Sequence, residues 1–259
     1  MSRANGTMFT ARFNLLNAPS ILLVLTMCIF GLKVPTELLA ESPQAPLKIV
    51  FFGDSITQEG LGKDGYLTLV GQILGQKLSQ QRVEIVGAGI RGDTVTDLEA
   101  RLARDVISLA PEIVVIFIGV NDAAKAPANW DGGEAYAQSM RRMLSKVAQQ
   151  KIRAILCTPT IISETAPLAP NFGEPPYGVR LEQLSLKVRQ LARELNLPLC
   201  DLRERFSRHL LVGASSQVTA PPLTRDGVHL NRLGNQLVAE VISERLIDAV
   251  QGTLKRSAE

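Results

Sequence analysis

The sequence predicts one doubly wound α/β domain running from about residue 47 to the C-terminus. Five short, almost wholly apolar runs recur along the chain, as expected of parallel strands covered on both faces. The intervals between them carry apolar residues at steps of three and four, the period of an amphipathic helix. The composition agrees: 46% of the 259 residues are hydrophobic and 20% charged. That supplies the core of one large domain or two small ones and excludes a wholly disordered chain.

The strands are expected at KIVFF (48–52), VEIV (83–86), EIVVIFI (112–118), AILC (154–157) and LPLC (197–200). Val95, Leu98, Leu102 and Val106 place one apolar stripe on the helix after the second strand. Leu181, Leu184, Val188, Leu191 and Leu195 do the same before the fifth, and Leu233, Leu237, Val241 and Ile242 in the last helix. Five βα units in about 210 residues fit a single sheet with helices on both faces. The longest loops are expected at roughly 158–176 and 211–228, both rich in Pro, Gly, Ser and Thr.

Residues 1–40 read as a leader rather than as part of this domain. Arg3 and Arg12 precede the twelve-residue apolar run ILLVLTMCIFGL at 21–32, and a small residue, Ala40, follows nearby. A basic start, a short apolar core and a small residue form the pattern of a secretory signal peptide. The run is shorter than the about 20 residues of a comfortable membrane span. The expectation is a secreted or periplasmic domain, 41–259, with an uncleaved membrane anchor as the alternative. Membrane contact is then expected only through the leader.

Charge and residue counts narrow the chemistry. The formal net charge is +3, from 28 basic and 25 acidic residues. Three of those basic residues and one acidic residue lie in the leader, leaving 25 against 24 in the remaining 219. No basic stripe for nucleic acid is expected. Two histidines leave little room for a His-rich metal centre, and three cysteines do not make a disulfide scaffold. Cys157 and Cys200, each ending an expected strand, are read as buried thiols.

In open α/β sheets a ligand binds beyond the carboxyl ends of the strands. The segments there are GDSIT (53–57), GAGIRGDT (87–94), GVND (119–122), the 158–176 loop and RDGVHL (225–230). His229 stands in a turn before the last helix, three residues after Asp226. That spacing lets the carboxylate return to one imidazole nitrogen, fix the tautomer and stabilise an imidazolium. His209, among the charges of RERFSRHLL, reads as a helix residue. Ser55 follows the first strand and is the candidate nucleophile, although by itself it could merely cap a helix. No serine sits in G-x-S-x-G, so the α/β-hydrolase elbow is absent. Gly92 can bring a bare backbone N–H to a ligand, or simply turn the chain. The Asn121 amide can donate to an oxyanion, or close an Asx-turn.

GAGIRG at 87–92 also spells the dinucleotide fingerprint. It follows the second strand rather than the first. The acidic residue at the right separation, Glu112, starts a strand instead of ending one.

Taken together, GDSIT, GAGIRGDT, GVND and DGVH resemble the four blocks of the SGNH/GDSL hydrolase family, over residues 48–250 or so. Gly87 stands where the family usually has Asn; Gly92, Asp93 and Thr94 are kept. The resemblance implies a flavodoxin-like three-layer α/β/α fold with a five-stranded parallel sheet. It implies ester hydrolysis through an acyl-serine, with Ser55 as nucleophile, His229 as base and Asp226 orienting it. Ser55 and Gly92 N–H and the Asn121 amide would form the oxyanion hole. Asp54 and Asp122 would brace their loops. No metal and no organic cofactor is implied.

The export signal favours extracellular substrates, and a small acyl group such as acetyl on a carbohydrate is preferred, because no large insertion covers a long lipid. Lysophospholipids and thioesters are the alternative substrates. A non-catalytic binding module or a dinucleotide-binding protein are the alternatives of a different class. Trp130 and Tyr136 could stack on a sugar or pack beneath the Asn121 loop. Ile161, Ile162, Leu168 and Phe172 could line an acyl pocket. Arg91 could attract an anionic substrate.

Overall fold

The computed structural model describes residues 9–11, 45–163, 176–215 and 222–258. Its strands are β1 (Phe9–Ala11), β2 (Leu47–Gly53), β3 (Val83–Gly89), β4 (Ile113–Phe117), β5 (Arg153–Cys157) and β6 (Leu199–Cys200). The helices are α1 (Ser55–Glu59), α2 (Tyr66–Lys77), α3 (Val95–Asp105), α4 (Val120–Ala124), α5 (Glu134–Gln149), α6 (Tyr177–Glu194), α7 (Leu202–Ser215) and α8 (Arg232–Ala258).

Neighbouring strands follow the order β1-β3-β2-β4-β5-β6. Every pairing from β3 to β6 is parallel. This is the doubly wound order of flavodoxin-like folds, and β2 lies at its switch point, where the chain leaves for opposite sides of the sheet. The register makes the carboxyl ends level: Gly89, Gly53, Phe117, Cys157 and Cys200 pair in one row. Everything just beyond that row shares one edge.

Each residue of β4 is buried, which accounts for its unbroken IVVIF. α2 packs on α8 over one face; α3, α5 and α6 pack in sequence over the other. The stripe Val95, Leu98, Leu102 and Val106 is buried as expected. Thr94 and Asp97 close a reciprocal capping box at the start of α3. In α8 the buried face is Val238, Ala239, Ile242, Leu246 and Val250. The expected Leu233, Leu237 and Val241 flank that face, because the helix settles on α2 a little rotated from the stripe read in the sequence.

Two further expectations are corrected, and one strand is added to the five parallel ones. The fifth parallel strand is only Leu199–Cys200, since Pro198 lacks an N–H for the ladder. α7 continues to Ser215, so the start of the expected 211–228 loop is helical. The sheet has a sixth strand: Phe9–Ala11, inside the expected leader, pairs antiparallel with β3 from Ile85 to Gly87. Three residues carry no periodicity to read. The apolar run at 21–32 lies outside the described residues, as do 164–175 of the long loop, with Leu168 and Phe172, and 216–221. Among the described residues, no helix is long and apolar enough to cross a membrane. Cys157 and Cys200 are buried, free and opposite each other in the ladder.

Candidate active site

The site is assembled from three strand-end segments and the turn that precedes α8. β2 runs straight into Asp54, whose side chain accepts from Ile56 N at 2.9 Å and caps α1. That makes Ser55 the first residue of the helix, with a backbone N–H that has no intrahelical acceptor. Ser55 Oγ stands 2.9 Å from His229 Nε2. His229 Nδ1 in turn stands 2.7 Å from Asp226 Oδ2.

The segment 224–230 is built to present that pair. Thr224 and Leu230 bridge antiparallel, and Arg225 N donates to His229 O at 2.9 Å. Asp226 Oδ1 accepts from Val228 N (3.0 Å) and His229 N (2.7 Å), so one carboxylate oxygen holds the backbone and the other the ring. Burial pushes the Asp226 carboxyl up, but the His229 ring and these two N–H groups outweigh it and hold it below the usual range. An ionised Asp226 draws the His229 proton onto Nδ1, which leaves Nε2 as acceptor toward the serine.

The loop after β3 passes beside α1 because Gly89 has no side chain. A Cβ there would lie 2.2 Å from Gln58 N and 2.6 Å from Asp54 O, both backbone atoms. Gly92 turns at φ +81°, in the left-handed region. Asn121, on α4 after β4, is buried and donates through Nδ2 to Asp93 O at 3.0 Å and Asp54 Oδ2 at 3.4 Å. Ser55, Gly92, Asn121, Asp226 and His229 therefore come from four separate segments to one edge of the sheet.

Asp54 and Asp122 hold loops in place. Burial pushes the Asp54 carboxyl up to about 7, and Asp122 and Asp93 add to this, against the Ile56 N–H. Burial likewise pushes Asp122 up to about 7. Its Oδ1 accepts from Val95 N at 3.0 Å, while Oδ2 has no partner. Thr94 N is taken by Asp97 at 3.0 Å. Two carboxylates thus occupy the α3 N-terminus, where a dinucleotide pyrophosphate would have to sit. The glycines of GAGIRG serve close backbone packing and a turn instead.

Sequence reasoning did not find Arg101 or Lys125. Arg101, on α3, is buried, and its guanidinium donates to Asp93 Oδ2 (2.7 Å), Asp105 Oδ2 (2.8 Å), Ala88 O (3.0 Å) and Gly53 O (2.8 Å). It also lies 4.5 Å over the Phe52 ring. In sequence it is one more charge between Leu98 and Leu102, and nothing marks it as buried. Lys125 Nζ donates to Gly92 O at 2.6 Å.

Of the expected recognition residues, Tyr136 is buried with its hydroxyl on Ile118 O, and Trp130 donates to Gln183 Oε1 at 2.6 Å. Arg91 pairs with Glu59, which also takes Arg225. His209 lies on α7, away from these segments in the chain. Among the described residues, no group of three or more His, Cys, Asp or Glu side chains converges as metal ligands.

Comparison with known proteins fits this arrangement. The sequence pattern of the GDSL-like Lipase/Acylhydrolase family matches residues 51–237. An acetylxylan esterase of Geobacillus stearothermophilus is 28% identical over 209 residues, covering 74% of this chain and 90% of that protein. The crystal structure of the acetyl xylan esterase AlAXEase superposes with a TM-score of 0.65 at 35% identity, covering 75% of this chain and 97% of the other. A lipase/acylhydrolase from Enterococcus faecalis superposes with a TM-score of 0.61 at 26% identity, covering 78% and 96%.

Proposed function

The chain belongs to the GDSL-like lipase/acylhydrolase family, and from that premise we propose that it is a serine esterase that removes small acyl groups, acetyl above all, from carbohydrate esters. The observation that carries the chemistry is the unbroken contact from Ser55 Oγ through His229 to Asp226, at 2.9 and 2.7 Å. The acetylxylan esterase relatives support the choice of acyl group and of alcohol.

In this reading Ser55 Oγ attacks the ester carbonyl carbon and its proton passes to His229 Nε2. Asp226 stabilises the imidazolium. The oxyanion lies against Ser55 N–H, Gly92 N–H and the Asn121 amide, each such donor worth about 3–4 kcal/mol in the transition state. The tetrahedral intermediate expels the alcohol, which takes the proton from His229. Water, activated by the same histidine, then releases the acid and restores Ser55.

Ser55→Ala and His229→Ala should each abolish hydrolysis of p-nitrophenyl acetate while the protein stays folded. Full activity in either variant refutes the assignment. Acetate release from acetylated xylan, with none of the fatty acid from lysophospholipid, selects the carbohydrate reading. The reverse result selects a lipid acylhydrolase. Residues 1–40 are proposed to direct export, with cleavage near Ala40. Maturation would then remove β1 and expose the β3 edge. N-terminal sequencing of the exported protein tests this, and an intact N-terminus in a membrane fraction would mark an anchor.

A further inference from the structure

We propose that Lys125 is a positioning residue for the oxyanion hole, holding the Gly92 loop and placing a cation beside it; this rests on the serine-esterase reading above. Asn121, in the first turn of α4, and Lys125, its C-cap, are four residues apart, so their side chains leave the same face. Both reach the same loop. Asn121 Nδ2 holds Asp93 O at 3.0 Å, and Lys125 Nζ holds Gly92 O at 2.6 Å. The backbone N–H of Lys125 also closes on Asn121 O at 2.9 Å, which ties the two side chains to one rigid turn.

The loop needs such a hold. Gly92 has no Cβ and turns at φ +81°, so nothing in its own side chain fixes the peptide planes on either side. Upstream, Arg91 N is fixed by Gln58 Oε1 at 2.8 Å. Downstream, Asp93 is fixed through its carbonyl by Asn121 and through its carboxylate by Arg101. The peptide plane after Gly92 is held from both of its ends: Asp93 N donates to Ile90 O at 3.2 Å, and Lys125 takes the Gly92 carbonyl. With the residues on either side of Gly92 held and its carbonyl taken by Lys125, the Gly92 N–H is restrained before substrate arrives, the condition under which a donor favours the transition state rather than the ground state.

Charge supports the same role. The Lys125 ammonium hydrogen-bonds the neutral Gly92 carbonyl, and the nearby carboxyls of Asp93 and Asp122 feel its charge. It is half-buried. A cation in that position gains most when negative charge appears nearby, as it does when the carbonyl becomes an oxyanion.

The test compares Lys125→Met and Lys125→Arg with the wild type and with Ser55→Ala, using p-nitrophenyl acetate. Phenylboronic acid serves as an inhibitor that adds to a serine as a tetrahedral anion. For Lys125→Met the expected result is a kcat about 10- to 100-fold lower, below the loss for deleting a donor itself. KM should stay within about threefold, boronate affinity should fall in parallel with kcat, and the melting temperature should hold. Lys125→Arg, which keeps the charge and a donor, should recover most of kcat. A Lys125→Met enzyme with wild-type kcat, or a loss that follows melting temperature and is not rescued by Arg, overturns the proposal. Activity in Ser55→Ala overturns the serine-esterase reading and this inference with it. An inactive Ser55→Ala beside an unchanged Lys125→Met overturns this inference alone.

Discussion

Replacing Arg101 should unsettle the fold more than any other single charge removal on α3. Its side chain is 8% exposed and faces two carboxylates, Asp93 at 14% and Asp105 at 6%. It also donates to two carbonyls near the ends of β2 and β3, Gly53 O and Ala88 O. In Arg101→Met the packing volume is kept and all four acceptors lose the guanidinium, although Gly53 O keeps Ile90 N. Breaking a buried pair from one side costs about 3–5 kcal/mol. Arg104 still reaches Asp105, so the main orphan is Asp93. For a domain of this size each kcal/mol lowers the melting temperature by about 2–4 °C, giving an expected drop of about 6–20 °C. Urea and thermal melts at pH 7 read this directly. Arg101→Lys should recover only part, because one ammonium cannot span the four acceptors that the guanidinium fork reaches. Adding Asp93→Asn to Arg101→Met should restore stability by removing the buried unpaired carboxylate. A loss below about 1 kcal/mol in Arg101→Met, or no recovery in the double variant, would refute the reasoning.

Asp226→Asn should keep the fold and lower kcat by about 10³- to 10⁴-fold, since a neutral amide no longer fixes the His229 tautomer; steady-state kinetics with a melt as control checks it. Gly89→Ala forces a Cβ into the α1 backbone and should cost both stability and activity. Gly75→Ala on α2, where a Cβ meets nothing within 4 Å, should instead raise stability by about 0.5–1 kcal/mol in the same melts. The Asp122 carboxyl, pushed up to about 7, gives a signed pH effect. Unfolded, it ionises near about 3.9, so between these values the folded state holds the extra proton and stability falls as pH rises from about 4 to about 7. Asp122→Asn keeps the acceptor for Val95 N and should flatten that slope in urea melts taken from pH 4 to 8. Parallel curves for the two proteins would remove this account.

The strand ends were the most legible part of the sequence. Gly53–Ser55, Gly92–Thr94 and Gly119–Asp122 could be placed on one edge because apolar runs of fixed length locate the ends of parallel strands, while Asp226–His229 was read from its own spacing before the last helix. The structure brings those segments together. β1 was not legible, since three residues carry no period and owe their form to the edge of β3. Nor were Arg101 and Lys125. A charge on a helix looks the same in sequence whether it faces water or closes a buried network, and only the carbonyls around it tell the difference. α8 shows a milder case: its apolar residues exceed one stripe, so packing on α2 chose which of them to bury.

The bond between Ser55 and His229 joins residues 174 positions apart. Synthesis at about 5–20 residues per second puts roughly 9–35 s between them. Until the segment 224–230 has been made and α8 has docked on α2, where Asn235 Oδ1 accepts from Tyr66 N at 2.9 Å, Ser55 has no base. In the proposed mechanism the nucleophile is therefore made early and armed last. In refolding, the return of ester hydrolysis should lag behind signals from the β2–β4 core, and it times the arrival of the C-terminal helix rather than the collapse of the sheet.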